Sequence, residues 1–258
     1  MGPKPSLYDV EQCANGSEGN ELMYKLGVAT NSLKPAHEYT PWLTVDGVHS
    51  EVAEDNLEKF LCSGPLKGAP ECSNQEITTM MPRPSAIKKC YREDEPSTMV
   101  SIDVYYEALC GGCVEFITQQ LQPTYPHLKK YLNVQLYPYG NTRMSEHLDI
   151  YGNKLYCPDS NEKIYNMIKP NCRLNVIKCY KSNFIGMHIF SCQHGIEECV
   201  NNLFQACLYD SIKDQMLQIQ LASCLMGSRD PHMKTKECMK NLNGKKSSLN
   251  YERLTSII

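Results

Sequence analysis

Two cysteines separated by two glycines, Cys110-Gly111-Gly112-Cys113, are the residues whose type and spacing most directly permit chemistry. That chemistry is thiol-disulfide exchange, in which only a deprotonated sulfur attacks a disulfide and only a good leaving thiolate departs. A CxxC pair at a helix start puts its first cysteine at the exposed N-terminus and its second one turn inside. Unpaired backbone N–H groups and the positive end of the helix dipole then lower the pKa of the first. Cys110 is thus the expected attacking thiolate and Cys113 the resolving thiol. Gly111 and Gly112 leave the sulfur uncovered, so a bulky substrate can approach it. Helix-end effects of about 0.3 to 1 kcal/mol fall short of the roughly 4 kcal/mol that a three-unit shift represents. Hydrogen bonds to the sulfur, or a further charge, must supply the rest.

The rival structural readings of the pair are a zinc half-site and an inert staple. Zinc needs a second pair of ligands, and the nearest, Cys192-Gln193-His194 with Cys199, does not have the spacing of a zinc knuckle. No metal and no organic cofactor is therefore expected.

The elements around the motif are readable from periodicity. Val100, Ile102 and Val104 alternate with Ser101 and Asp103, as in a half-buried strand. Val114, Phe116, Ile117 and Leu121 predict an amphipathic helix that stops at Pro123, and residues 134–139 a second strand bounded by Gly140-Asn141. Strand, CGGC, helix, strand is a βαβ unit, whose parallel strands require the helix as crossover. Upstream, residues 7–63 read as helix, strand and helix. A periodic stretch at Leu22 to Leu26 ends near Gly27, a β-type segment at residues 39–45 closes at Asp46-Gly47, and Leu57, Phe60 and Leu61 recur at helical spacing. From Ile196 the pattern is helical through Leu225. The predicted organisation is a first segment at 1–72, a polar, proline-bearing linker at 73–97, a second segment at 98–241 and a polar tail at 242–258. Within the second segment, residues 142–190 read as an insertion or loop holding Cys157, Cys172 and Cys179.

Composition narrows the class. With 258 residues and 41% hydrophobic content the chain can close a real core, and a net charge of −3 without charge runs gives no reason to expect nucleic acid or anionic lipid as partner. No stretch is long and apolar enough to predict a membrane span. Fourteen cysteines spread along the chain point to an oxidising compartment, and Asn15-Gly16-Ser17 is a glycosylation sequon. The N-terminal residues lack the apolar region of a secretory signal, so either a leader is missing or the chain stays inside.

The segment Cys192-Gln193-His194-Gly195-Ile196-Glu197-Glu198-Cys199, continued by Asn202 and Cys207, matches the pattern CQHGxxECxxNxxxxC. With YYEALCGGC from Tyr105 and YPYGN from Tyr137, it resembles the gamma-interferon-inducible lysosomal thiol reductase family. The resemblance implies an α/β, thioredoxin-like fold with a helical, disulfide-rich insertion. It also implies reduction of protein disulfides in acidic endosomes and lysosomes, with disulfide-containing proteins as substrates and a small-molecule thiol as reductant.

The stretches EQCANGSEGNELM and KPAHEYTPWLTVDG resemble the C-terminal half of the same family, although here they precede CGGC. A truncated tandem array and a circular permutation both account for that order, and in either case the two segments are expected to pack together. In thioredoxin-like folds the proline facing the CxxC is cis and presents backbone to the substrate, which makes Pro41 the candidate. Cys192, Cys199 and Cys207 are expected as disulfide staples. His194 is expected to be buried and structural, and Glu198 and Asn202 to cap or pair locally. The alternative from another class is a catalytically silent, disulfide-rich secreted or luminal binding protein in which CGGC is only a staple.

Overall fold

The strand that leads into CGGC lies inside a four-stranded sheet. In the computed structural model, which describes residues 6–75, 99–146 and 188–244, this strand, β3, spans Val100–Tyr106. Two strands precede it, β1 at Trp42–Val45 and β2 at Val48–His49, and β4 follows at Leu132–Pro138. The sheet order is β2-β1-β3-β4. β3 and β4 are parallel, Ile102 opposite Val134, whereas β1 runs antiparallel to β3 with Leu43 opposite Val104. The predicted βαβ unit is present, and the N-terminal segment adds two strands to its open edge.

Alternation along the strands decides which face is covered. Val100, Ile102, Val104 and Tyr106 of β3 join Leu132, Val134 and Leu136 of β4 in one apolar cluster, with Leu43, Leu57, Leu61, Phe116, Ile117 and Leu121. The opposite face carries Thr44, whose hydroxyl donates to Asp103, and the stacked rings of Tyr105 and Tyr137, 4.4 Å apart.

The crossover after CGGC is longer than periodicity predicts. Helix α5, Gly111–Glu115, runs through a π-helical stretch at Phe116–Leu121 into α6, Gln122–Leu128. Pro123 does not stop it, because proline is tolerated in the first turn of a helical segment and here occupies that position in α6. Gln120, in the π-helical stretch, accepts from Leu57 N–H and donates to the Glu54 carbonyl, tying the crossover to the N-terminal segment.

That segment holds more helix than the sequence suggests: α1 at Leu7–Ala14, α2 at Ser17–Asn31, α3 at Glu51–Asp55 and α4 at Leu57–Ser63. Gly27 does not end α2. A side chain there would lie 2.6 Å from the Tyr139 ring, so the glycine permits close approach instead of breaking the helix. After a short β5–β6 hairpin (Arg143–Glu146, His188–Ser191), helices α7 (Ile196–Ser211), α8 (Gln215–Leu225) and α9 (Pro231–Gly244) complete the described chain. A second apolar cluster joins Val10 and Met23 to Tyr139, Phe190, Leu203, Phe204 and Leu208.

Disulfides reinforce the same joins. Cys13–Cys207 fastens α1 to α7, Cys224–Cys238 links α8 to α9, and Cys62–Cys72 and Cys192–Cys199 close local loops. The predicted linker and tail each begin later than the sequence suggests: residues 73–75 belong to a 3-10 helix at Pro70–Gln75 and residues 242–244 to α9, while the rest of both, with the cysteines of the 142–190 insertion, lies outside the described residues. Among the described residues no helix is long and apolar enough to cross a membrane.

Candidate active site

Cys110 is the N-cap of α5, in extended backbone, and its sulfur accepts the Cys113 N–H at 3.4 Å. The Thr40 hydroxyl donates to the same sulfur from 3.5 Å. Together these donors bring the Cys110 thiol down to about 5. The Cys113 side chain contributes most, against the opposing effect of burial; Thr40 and the backbone N–H groups of Cys113 and Gly112 add to it. At pH 5 about half of such a thiol is ionised, against roughly one part in three thousand for an unperturbed cysteine. Cys113 is fully buried, and burial together with the neighbouring Cys110 holds its thiol far above the ordinary range. Both cysteines are reduced, the first partly exposed. The geometry therefore separates a more acidic, partly exposed sulfur from a hidden one that holds its proton.

Pro41 stands against this pair. The Thr40–Pro41 peptide bond is cis, and a Cβ on Gly112 would lie 3.5 Å from Pro41 Cδ and 3.7 Å from the Thr40 carbonyl. Gly112 thus lets the proline loop close over the helix start, while a Cβ on Gly111 would meet no heavy atom within 4 Å. The Lys34–Pro35 bond is also cis, which nothing in the sequence reading anticipates.

The CQHG segment lies beside the dithiol. Cys192 is bonded to Cys199, so neither offers a thiolate to a metal. Gly195 has φ +95°, a conformation that favours glycine, and it serves as the N-cap of α7. Gln193 accepts from the Asn141 side chain at 2.7 Å. The Glu198 carboxylate receives the His194 backbone N–H at 3.0 Å and pairs with His194 Nδ1 at 2.6 Å.

Two expectations here need correction. His194 is not buried, since its side chain is about one-third exposed. Asn202 does not pair locally: its Oδ1 accepts the N–H of Ala108, 94 residues away, while the Ala108 carbonyl receives Gly227 N–H. The turn between β3 and CGGC is thus held from α7 and from the loop after α8. Asn15 caps the end of α1, where its side-chain nitrogen donates to the Glu11 carbonyl, so the sequon belongs to that helix and not to the dithiol.

Sequence reasoning missed two residues, Thr40 and Glu107. Glu107 directly follows β3, is fully buried, and accepts Asn141 N–H at 2.7 Å. Gly140, with φ +52°, leaves the space its side chain fills; a Cβ there would overlap Glu107. Burial, then the charge of Glu198, raise Glu107 to about 7, opposed by the Asn141 N–H and by His194. A carboxyl three residues before the first cysteine is visible in YYEALCGGC, but its burial is not. Among the described residues, Glu107, His194 and Glu198 bring their side-chain polar atoms within 4.8 Å of one another. They form a hydrogen-bonded carboxyl–imidazole cluster next to the sulfur.

A model of the gamma interferon inducible lysosomal thiol reductase family matches residues 101–177 and 147–242, more than half of the chain. The chain belongs to this family. Its α/β fold is the thioredoxin-like one that the resemblance implies. Similar proteins include the gamma-interferon-inducible lysosomal thiol reductase of Mus musculus, 25% identical over 173 residues, which cover 67% of this chain and 51% of the relative. The protein of the same name from Carassius auratus is 40% identical over 65 residues, covering 24% of this chain and 26% of the relative. The gamma-interferon-responsive lysosomal thiol protein of Arabidopsis thaliana is 25% identical over 155 residues, covering 60% and 48%. The chain thus spans about half or less of the length of these curated relatives.

Proposed function

We propose that this protein is a thiol-disulfide oxidoreductase that reduces protein disulfides at acidic pH, with Cys110 as nucleophile and Cys113 as resolving thiol. The observation that carries this reading is the asymmetry of the pair, a partly exposed Cys110 sulfur ringed by donors above a buried, protonated Cys113. Cys110 thiolate attacks one sulfur of the substrate disulfide, forming a mixed disulfide and releasing the other sulfur as a thiolate that takes up a proton. Cys113 then loses its proton and attacks Cys110 Sγ, and the second substrate sulfur departs and is protonated. Two electrons pass from the dithiol to the substrate, leaving Cys110 bonded to Cys113. Two equivalents of a small-molecule thiol restore the dithiol.

Pro41 and the adjacent Gly111 and Gly112 form the surface that meets the substrate chain, since Pro41 lies against the uncovered helix start. Residues 7–72 and 98–241 act as one catalytic unit, a reading supported by the β1–β3 pairing and the Cys13–Cys207 bond. The lysosomal names of the relatives favour an endosomal or lysosomal site of action over a secreted one.

The test is insulin reduction in acid with a small thiol as reductant. Wild-type protein is expected to turn over and Cys110→Ser to be inert. Equal turnover by the two proteins removes Cys110 from the mechanism.

A further inference from the structure

The Thr40 hydroxyl has one proton and two acceptors. Its Oγ1 lies 3.5 Å from Cys110 Sγ and 3.5 Å from Glu107 Oε2. That separation is ordinary for sulfur and long for two oxygens, so the hydroxyl serves the sulfur unless a charge on the carboxyl draws it away.

Glu107 is enclosed by groups from every neighbouring element. Asn141 N–H, in the turn after β4, donates to Oε1, and His194 Nδ1 lies 3.6 Å from Oε2. Glu198, equally buried on α7, shares that imidazole, and Cys110 lies across Thr40. The charge of Glu198 opposes ionisation of Glu107, because two like charges repel strongly in a poorly solvated site.

We propose that the Thr40 hydroxyl switches between Cys110 and Glu107, so that the charge on Glu107, governed by His194 and Glu198, decides how firmly Cys110 is held as a thiolate. The proposal rests on the reading of Cys110 as the attacking sulfur and names the groups that tune it. When Glu107 is neutral, its O–H donates to Thr40 Oγ1 and the Thr40 proton points to the Cys110 thiolate. When Glu107 loses its proton to solvent, the Thr40 hydroxyl turns to the carboxylate. Cys110 then loses one donor and acquires a nearby like charge, and the thiolate becomes more basic. The neutral state prevails in acid, since burial raises Glu107 to about 7. The CQHG segment thereby acts on the dithiol without touching substrate: His194 and Glu198 are positioning residues for the proton on Glu107.

The test is the pH profile of Cys110 alkylation by iodoacetamide on the full reduced chain, with the adduct located by peptide mass. Wild-type protein is expected to show two inflections. The first marks thiolate formation, and the second, near 7, marks a change in the reactivity of the thiolate as Glu107 ionises. Glu107→Gln is expected to leave one inflection. Thr40→Val is expected to move the first inflection up by about one pH unit and to shrink the second, the loss expected for one hydrogen bond to a charged sulfur. Thr40→Ser, which restores the hydroxyl, is expected to return both. His194→Gln is expected to shift the second inflection to higher pH, because a group that favours the ionised carboxylate is gone.

A low first inflection indifferent to Thr40→Val, or a second inflection that survives Glu107→Gln, overturns the switch and leaves the reductase reading standing. A wild-type Cys110 that titrates like a free cysteine overturns both.

Discussion

The two cysteine pairs at the site both sit at the start of a helix, yet one is a reduced dithiol and the other a closed disulfide. Cys110 and Cys113 are three residues apart at the head of α5, with the Cys110 sulfur receiving the Cys113 N–H. Cys192 and Cys199 are seven apart and bonded across the loop that enters α7, whose N-cap is Gly195 rather than a cysteine. A helix start alone therefore does not make a cysteine reactive. What matters is whether the sulfur itself becomes the acceptor of the helix N–H groups, which requires the cysteine to occupy the N-cap. The second pair instead holds a loop closed, and that loop presents His194 and Glu198 to Glu107. One pair carries the chemistry and the other arranges the charges around it.

The sharpest way to break this division of labour is Cys113→Ser. Release of the captured substrate should stall, multiple turnover should fall by about a thousandfold, and a protein–substrate mixed disulfide should accumulate, visible by intact mass. Replacing Cys192 and Cys199 together by serine probes the other pair. Reduction should drop by roughly ten- to a hundredfold from misplacement of His194 and Glu198, while Cys110 remains alkylatable, as rates and labelling on one preparation will show.

Asn202→Ala tests the link between them, because it removes the acceptor for the buried Ala108 N–H; urea unfolding should register a loss of about 1–3 kcal/mol. The smallest expected effect is a pH slope. In Cys110→Ser, where the opposing stability contribution of the Cys110 thiolate is absent, burial and the charge of Glu198 still let folded Glu107 keep its proton above its ordinary value of 4.5, whereas the unfolded chain gives it up. The folded state binds more protons in that window, so stability should fall as pH rises through it. Glu107→Gln should flatten the slope in urea titrations.

The parts of the fold that announce themselves in sequence are those with local period. β3 and β4 alternate because one face of each is covered, and CGGC is recognisable because its chemistry depends on a fixed short spacing. Other features depend on contacts distant in sequence. Gly27 looks like a helix stop and is a point of close approach to Tyr139; Pro123 looks like another and begins a helical segment. Asn202 reads as a local partner and instead holds the turn before CGGC. Thr40 is unremarkable beside Pro41 until β1 pairs with β3 and carries it to the sulfur.

The amino-acid sequence by itself determined the redox motif, the strands and helix that frame it, the cysteine-rich character and the family. These follow from residue type and short spacing, which act before the chain is packed. Only the tertiary structure decided that Cys110 receives the Thr40 hydroxyl, that Glu107 is buried against His194 and Glu198, and that Pro41 faces Gly112. Burial and long-range hydrogen bonds set the charge on a group, and neither exists until segments far apart in the chain exclude water together.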